Sequence, residues 1–317
     1  MPQTEIVDRE KQRRLWLRLG VLFWLVLILF LVFSQLPDKN LHLVFCDVGQ
    51  GDAVLARIGK NQVLIDGGLP GKEEKLLNCL RSQMPFWDRQ IEVLVNTHPD
   101  EDHFAGLAEI LKRYRIKNFV YNGLDNKDSW RFQEFKKQLI GKKVCSSKAT
   151  DFGSFRIKGV YFDILWPGTT VKTAQNSDQQ YFDPETGSCP MPDFQNPEEI
   201  LNNQSIVIHL SWGRFDALLT GDIPSEAEQV LVWRKKISPV EVLKIAHHGS
   251  KTSTSEELLT AAAPQLAVIS VGENRFGHPT DEVLKKIADH GIELLRTDND
   301  GTIEIISNGK QWKINSR

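Results

Sequence analysis

The chain has 317 residues, a formal net charge of −2 and 25% charged side chains. That balance excludes a polycation that coats nucleic acid and a disordered polyelectrolyte, and leaves any nucleic-acid role to local charge. At this length one catalytic α/β domain with an appendage is the expectation.

Only Arg18 interrupts an apolar stretch from Leu15 to Phe33, and its 19 residues reach about 28 Å as a helix, close to the roughly 30 Å of a bilayer core. One transmembrane helix is predicted. Arg9, Lys11, Arg13, Arg14 and Arg18 crowd its N-terminal side and only Lys39 follows closely. By the positive-inside rule this predicts a cytoplasmic tail over 1–14, an anchor over 15–36 in the cytoplasmic membrane, and an extracytoplasmic domain over 41–317. The rival is a cleaved signal peptide, against which stand the length of the stretch and the lack of an A-x-A-like site at Phe33-Ser34-Gln35-Leu36. The pair Arg13-Arg14 resembles a twin-arginine export signal. Cys46, Cys79, Cys145 and Cys189 show neither CxxC pairing nor zinc-finger spacing. They read as free thiols, with a disulfide open if the domain is exported.

Strands are predicted over 41–46, 53–58 and 62–65, the last two joined by Gly59-Lys60-Asn61, then a helix over 72–83, a strand over 93–96 and a helix over 105–114. The second half repeats the pattern, with strands over 205–210, 216–219, 242–245, 266–271, 293–296 and 302–307 and helices over 225–233, 254–262 and 281–290. Two β-rich halves covered by helices predict a sandwich of two sheets with helices outside. The polar segment between Val171 and Ile200 reads as a surface loop near the substrate.

Chemistry concentrates at predicted strand ends. In Thr97-His98-Pro99-Asp100-Glu101-Asp102-His103, four metal-capable side chains fall within six residues, so that His98 with Asp100 can face one cation and Asp102 with His103 a second. Asp66 before Gly67-Gly68, Asp222 in Thr220-Gly221-Asp222, and His247-His248-Gly249-Ser250 each end another strand, which is how a rigid sheet presents ligands at its rim.

These motifs, with Asp47-Val48-Gly49-Gln50-Gly51-Asp52-Ala53, Asn202-x-x-Ser205 and Gly277-His278-Pro279, resemble the metallo-β-lactamase superfamily, and within it the hydrolase domain of ComEC-type competence proteins, which import DNA. The resemblance runs from about Leu41 to the C-terminus and implies an αββα sandwich. In the usual H-x-H-x-D-H motif, Asp100 stands where the second histidine normally does. It also implies that His98 and Asp100 hold a first metal, that Asp102, His103 and His247 hold a second, and that Asp222 bridges them. Asp66, His248, Asn202 and Ser205 are expected to support these ligands without binding metal. His209, mid-strand, is the one histidine where many relatives carry a further ligand, and its alternation with Ile206 and Ile208 speaks against that role. An oxygen-rich set suits two divalent ions, Zn or Mn. The resemblance assigns catalysis to Asp102 and to His278, directed at a scissile phosphate, with Gln50, Asp52, Ser250, Thr252 and His278 lining the substrate pocket.

From Lys112 to Lys148 the chain carries 11 Lys/Arg against three acids, interleaved with Tyr114, Phe119, Tyr121, Trp130, Phe132 and Phe135. This band either tracks a nucleic-acid backbone and stacks bases or is a set of solvated helix faces over a core. The expected function is a membrane-anchored phosphodiesterase or nuclease acting on DNA, single-stranded, or on nucleotides. With one predicted membrane helix, channel subunits would be separate polypeptides. Alternatives are a hydrolase of the same fold acting on a small ester, lactam or phosphate, and a non-catalytic DNA-binding subunit of an uptake apparatus.

Overall fold

The structure, a computed structural model, describes residues 3–167 and 201–315. The expected loop between Val171 and Ile200 lies outside the described residues. Two compact units are present, Met1–Asp38 and Lys39–Arg317. The first is the helix Gln3–Ser34, in which Gln12–Ser34 is long and apolar enough to cross a membrane, with mean hydropathy 2.6.

The second unit stacks two sheets. In the first, eight strands lie in the order Trp312–Asn315, Ile303–Ser307, Leu41–Phe45, Val54–Ile58, Asn61–Ile65, Gln90–Asn96, Arg115–Tyr121 and Cys145–Lys148. In the second, seven lie in the order Glu293–Arg296, Leu266–Ile269, Val242–Lys244, Phe215–Leu219, Val207–Trp212, Val160–Trp166 and Phe155–Ile157. Alternation explains the layering: Leu41, Leu43 and Phe45 point into the core between the sheets, where they meet Phe162, Ile208 and Leu266. Val44 points the other way, under the helices Glu73–Gln83, Leu107–Arg113 and Trp130–Gly141, with Leu76, Leu107 and Phe135. A third cluster packs Ser225–Trp233, Glu256–Ala262 and Asp281–Asp289 on the second sheet through Leu231, Leu259 and Ile287. Helices thus cover both outer faces, as the patterning predicts.

The cysteine expectation is corrected. Cys46 and Cys79 form a disulfide with Cα atoms 5.8 Å apart, Cys145 is also disulfide-bonded, and no described cysteine is free. The Cys46–Cys79 bond ties the helix Glu73–Gln83 to the end of the strand Leu41–Phe45.

Candidate metal centre

Each sheet has a parallel portion, and parallel strands end at one rim. Asn61–Ile65 and Gln90–Asn96 run parallel and deliver Asp66 and His98. Phe215–Leu219 and Val242–Lys244 run parallel and deliver Asp222 and the His247-His248 turn. The short helix Glu101–Phe104 starts directly after Asp100 and turns Asp102 and His103 back to the same point. The loop carrying Asp47 to Asp52 closes over it: the Asp52 N–H donates to the Asp102 carbonyl at 3.2 Å. Gly51 is required there, since at φ +114° a Cβ would stand 2.2 Å from that carbonyl oxygen.

Imidazole Nε2 atoms converge on carboxylates. His98 Nε2 lies 3.5 Å from Asp100 Oδ2, and His103 Nε2 lies 3.2 Å from Asp222 Oδ2 and 4.0 Å from Asp102 Oδ1. The third, His248 Nε2, lies 3.4 Å from both Asp102 Oδ2 and Asp222 Oδ2. His98, His103, His248 and Asp222 are buried. His98 Nε2, His248 Nε2 and Asp222 Oδ1 nevertheless lack a well-aligned hydrogen bond. Buried polar atoms without partners are costly, so this donor set fits cations held among them.

The Nδ1 atoms are held from behind. His103 Nδ1 is 2.8 Å from Asp66 Oδ2, and His248 Nδ1 donates to the Ser270 carbonyl at 2.7 Å. His98 Nδ1 is 3.0 Å from Thr97 Oγ1 and 3.4 Å from Ser205 Oγ. Such contacts fix ring orientation and leave Nε2 toward the centre. Asp66 is anchored in turn by the Thr97 N–H and hydroxyl at 2.8 and 2.6 Å, and Ser205 Oγ accepts from the Asp222 N–H at 3.0 Å. Both residues sit behind the ligand set.

Electrostatics sort four of the histidines at and beside the centre into two kinds. Burial opposes charge on His103, but Asp222, Asp66 and Asp102 outweigh it and hold its pKa well above the ordinary value. Burial likewise opposes charge on His248, and Asp222 and Asp102 push it up to about 10. For His247 and His278 the carboxylates compensate too little: burial, with neighbouring histidines, outweighs Asp222 and lowers both. For Asp102 and Asp222, burial is outweighed by His103 and His248, and both carboxyls are lowered.

The expected places of His247 and His248 are exchanged. His248 faces Asp102 and Asp222, whereas His247 is bracketed by Asn202 Nδ2 and Thr252 Oγ1, each at 3.4 Å, with its ring 5.6 Å from that of His278. Both residues adopt left-handed backbone, φ 50° and 55°, and this tight turn aims the second imidazole inward. Asn202 and Thr252 therefore belong with His247 and His278 at the mouth, and Ser250, bonded to Thr252 at 2.9 Å, lies beside them. Gln50 is buried, its side-chain oxygen 3.4 Å from the Gly272 N–H, and does not line an open pocket. His209 pairs with Asp216 at 3.3 Å on the second sheet, outside the cluster.

Asp52 is also placed differently from the expectation. It is 1% exposed and approaches His248 and His103 only on their Nδ1 sides, at 3.7 and 3.8 Å, so it stands behind the imidazoles rather than toward substrate. Its partner is Lys244, whose Nζ lies 2.6 Å from Asp52 Oδ2 and donates to the Gly221 and Ile245 carbonyls at 3.2 Å each. Lys244 thereby joins two ligand-bearing loops to the loop that closes over them and was missed in the sequence. The available signal was a lysine ending a short apolar strand directly before the histidine pair.

The aromatic band does not form a stacking surface. Tyr114, Phe119, Tyr121, Phe132 and Phe135 are buried under the helices, and only Trp130 of the six is exposed. Several of its cations are already paired: Lys112 and Arg113 with Glu109, Lys117 with Glu92, Arg131 with Glu101, and Lys136 with Asp125. Solvated helix faces over a core account for the band.

With two sheets, outer helices and this rim cluster in place, the class is defined: the metallo-β-lactamase superfamily pattern matches residues 46–273, and the chain belongs to that superfamily. It is 28% identical to ComE operon protein 3 of Bacillus subtilis over 94% of this chain and 37% of the relative. It is also 28% identical to competence protein ComA of Neisseria gonorrhoeae, over 90% and 36%. Recombination protein 2 of Haemophilus influenzae is 27% identical, over 89% and 31%. The chain thus spans about a third of these relatives' length. The solved metallo-β-lactamase fold protein YhfI from Bacillus subtilis shares the fold with TM-score 0.50 at 10% identity, covering 83% of this chain and 99% of that one.

Proposed function

We propose that this chain is a two-metal phosphodiesterase that cleaves DNA at the outer face of the cytoplasmic membrane during competence-type uptake. The observation that carries the reading is that orphaned His98 Nε2 and His248 Nε2 gather from two sides on Asp222, whose Oδ1 is orphaned as well, while His278 stands beside the neighbouring His247. His98 and Asp100 would hold one ion, Asp102, His103 and His248 the other, with Asp222 reaching both. Zn or Mn suits this mixture of imidazole and carboxylate. Two bound divalent ions supply Lewis acidity and an activated water at neutral pH.

The chain's own residues do the rest. Asp66, Thr97, Ser205 and Ser270 orient the ligand histidines, so little reorganisation is needed when substrate arrives. His278, kept neutral by burial and by His247, has an Nδ1 without a partner and stands at the mouth. A neutral imidazole there can donate a hydrogen bond to a phosphate oxygen as negative charge builds on it.

Membrane placement is supported by the apolar helix Gln12–Ser34 and by relatives named for competence. The Cys46–Cys79 disulfide favours an oxidising compartment, hence an extracytoplasmic domain. One helix among the described residues does not make a channel, so a path for DNA across the membrane would come from elements other than those described. The test is metal analysis of the purified chain followed by hydrolysis of labelled single-stranded DNA beside a β-lactam and a thioester. Preferred hydrolysis of DNA with two ions bound supports the reading, and faster turnover of lactam or thioester rejects it.

A further inference from the structure

The loop from Gly272 to Pro279 is braced, and what it holds out is apolar. Asn274 spends its whole side-chain amide on the loop: Nδ2 donates to the Gly272 and His278 carbonyls at 2.9 and 2.8 Å, and Oδ1 accepts from the Phe276 and His278 N–H groups at 3.0 and 3.1 Å. Between these anchors Phe276 stands 72% exposed. Its ring stacks beside His278, with centroids 5.7 Å apart and planes inclined by 28°. A phenyl ring in water contributes nothing to the core, and this one is held beside His278 with a face open to a ligand.

The surroundings favour an anionic, aromatic occupant. Arg275 and Lys251 are exposed, and neither has an ion-pair partner among the described residues; Glu273 is the single acid of the loop. Insertion into lipid or docking of a protein needs a contiguous apolar patch, whereas the neighbours of Phe276 in the loop are Arg275, Gly277 and His278. A nucleobase needs only one ring face, and its phosphate needs nearby cations. The ring series Phe276, His278, His247 runs inward in steps of 5.7 and 5.6 Å toward the metal centre. A base on the phenyl would leave its own phosphate about one sugar away, beside His278.

We propose that Phe276 is a stacking platform for an unpaired nucleobase flanking the scissile phosphate, so that the site selects single strands over duplex. This rests on the phosphodiesterase reading above. The test uses the full chain in detergent, loaded with metal, and compares wild type, Phe276→Ala and Phe276→Trp. Substrates are a labelled single strand, the same strand with abasic sites, and its duplex, with strand binding followed separately by fluorescence anisotropy. Phe276→Ala is expected to weaken use of the normal strand about 10-fold, mainly in KM, as loss of one base stack does. Phe276→Trp should restore it, and the ratio of wild type to Phe276→Ala should shrink several-fold on the abasic strand and on the duplex. An equal loss on normal and abasic strands overturns the proposal, as does a Phe276→Ala enzyme that uses the normal strand like wild type. A changed oligomeric state with unchanged strand use also overturns it, making the ring a protein contact. If wild type cleaves no phosphodiester, the enzymatic reading fails by itself, and anisotropy still decides the platform: it stands if Phe276→Ala weakens binding of the normal strand alone and falls if binding is unaffected.

Discussion

Lys244→Met is the substitution that most sharply probes how the site is assembled. Lys244 and Asp52 side chains are 3% and 2% exposed, with Nζ 2.6 Å from the carboxylate oxygen. Removing the ammonium leaves a buried carboxylate without its counter-charge and the Gly221 and Ile245 carbonyls without their donor. Breaking one side of a buried pair costs about 3–5 kcal/mol. In a domain of this size each kcal/mol lowers Tm by roughly 2–4 °C, so a fall of roughly 6–20 °C is expected. The assay is thermal unfolding with chelator and with saturating metal. Because two of these loops carry Asp222 and His248, and the Asp52 N–H holds the Asp102 carbonyl, the rise in Tm on adding metal should shrink as well. The double variant Asp52→Asn with Lys244→Met removes both charges and should recover much of the loss. A single variant within about 1 kcal/mol of wild type, or a double variant no better than the single, would refute the reasoning.

The exchanged histidines give a second contrast: His248→Ala should lose bound metal, whereas His247→Ala should keep it and lose turnover, as metal analysis beside kinetics will show. His278→Ala should retain metal and fold yet lose roughly 10²-fold in kcat, the usual scale for one donor or proton carrier; an unchanged kcat on DNA would remove His278 from the reaction. Without metal, His103 and His248 have raised pKa values, so their contribution to stability is full below the unfolded imidazole value of 6.5 and is lost as pH rises toward about 10. Tm of the metal-free protein should fall across that window, and metal uptake at pH 7 should release protons, measurable by calorimetry in buffers of different ionisation enthalpy.

The parts of the site that sequence exposed are those where chemistry is contiguous. His98, Asp100, Asp102 and His103 fall within six residues directly after a strand, so one loop sets all four at one rim. His247 and His248 are adjacent, and which one turns inward depends on a left-handed turn that residue types do not encode. Lys244 reads as a polar strand end because its partner Asp52 is remote in sequence and meets it only when the two sheets pack. Cys46 and Cys79, 33 residues apart, carry no spacing motif, and their pairing follows from how one helix lies on the first sheet. Arg115–Tyr121 escaped a strand prediction because its first residues are polar, though its last three are buried. The same residues, with those of Trp130–Gly141, gave a basic and aromatic band whose rings, apart from Trp130, face inward.

The central claim, two-metal hydrolysis of DNA, rests most heavily on Asp222, which lies 3.2 Å from His103 and 3.4 Å from His248. Metal content and single-strand cleavage measured together on Asp222→Ala test it most directly. The account predicts that bound metal falls below two ions per chain and that cleavage is abolished, because two adjacent cations lose their shared anion. Full cleavage by a variant that still binds two ions would contradict it.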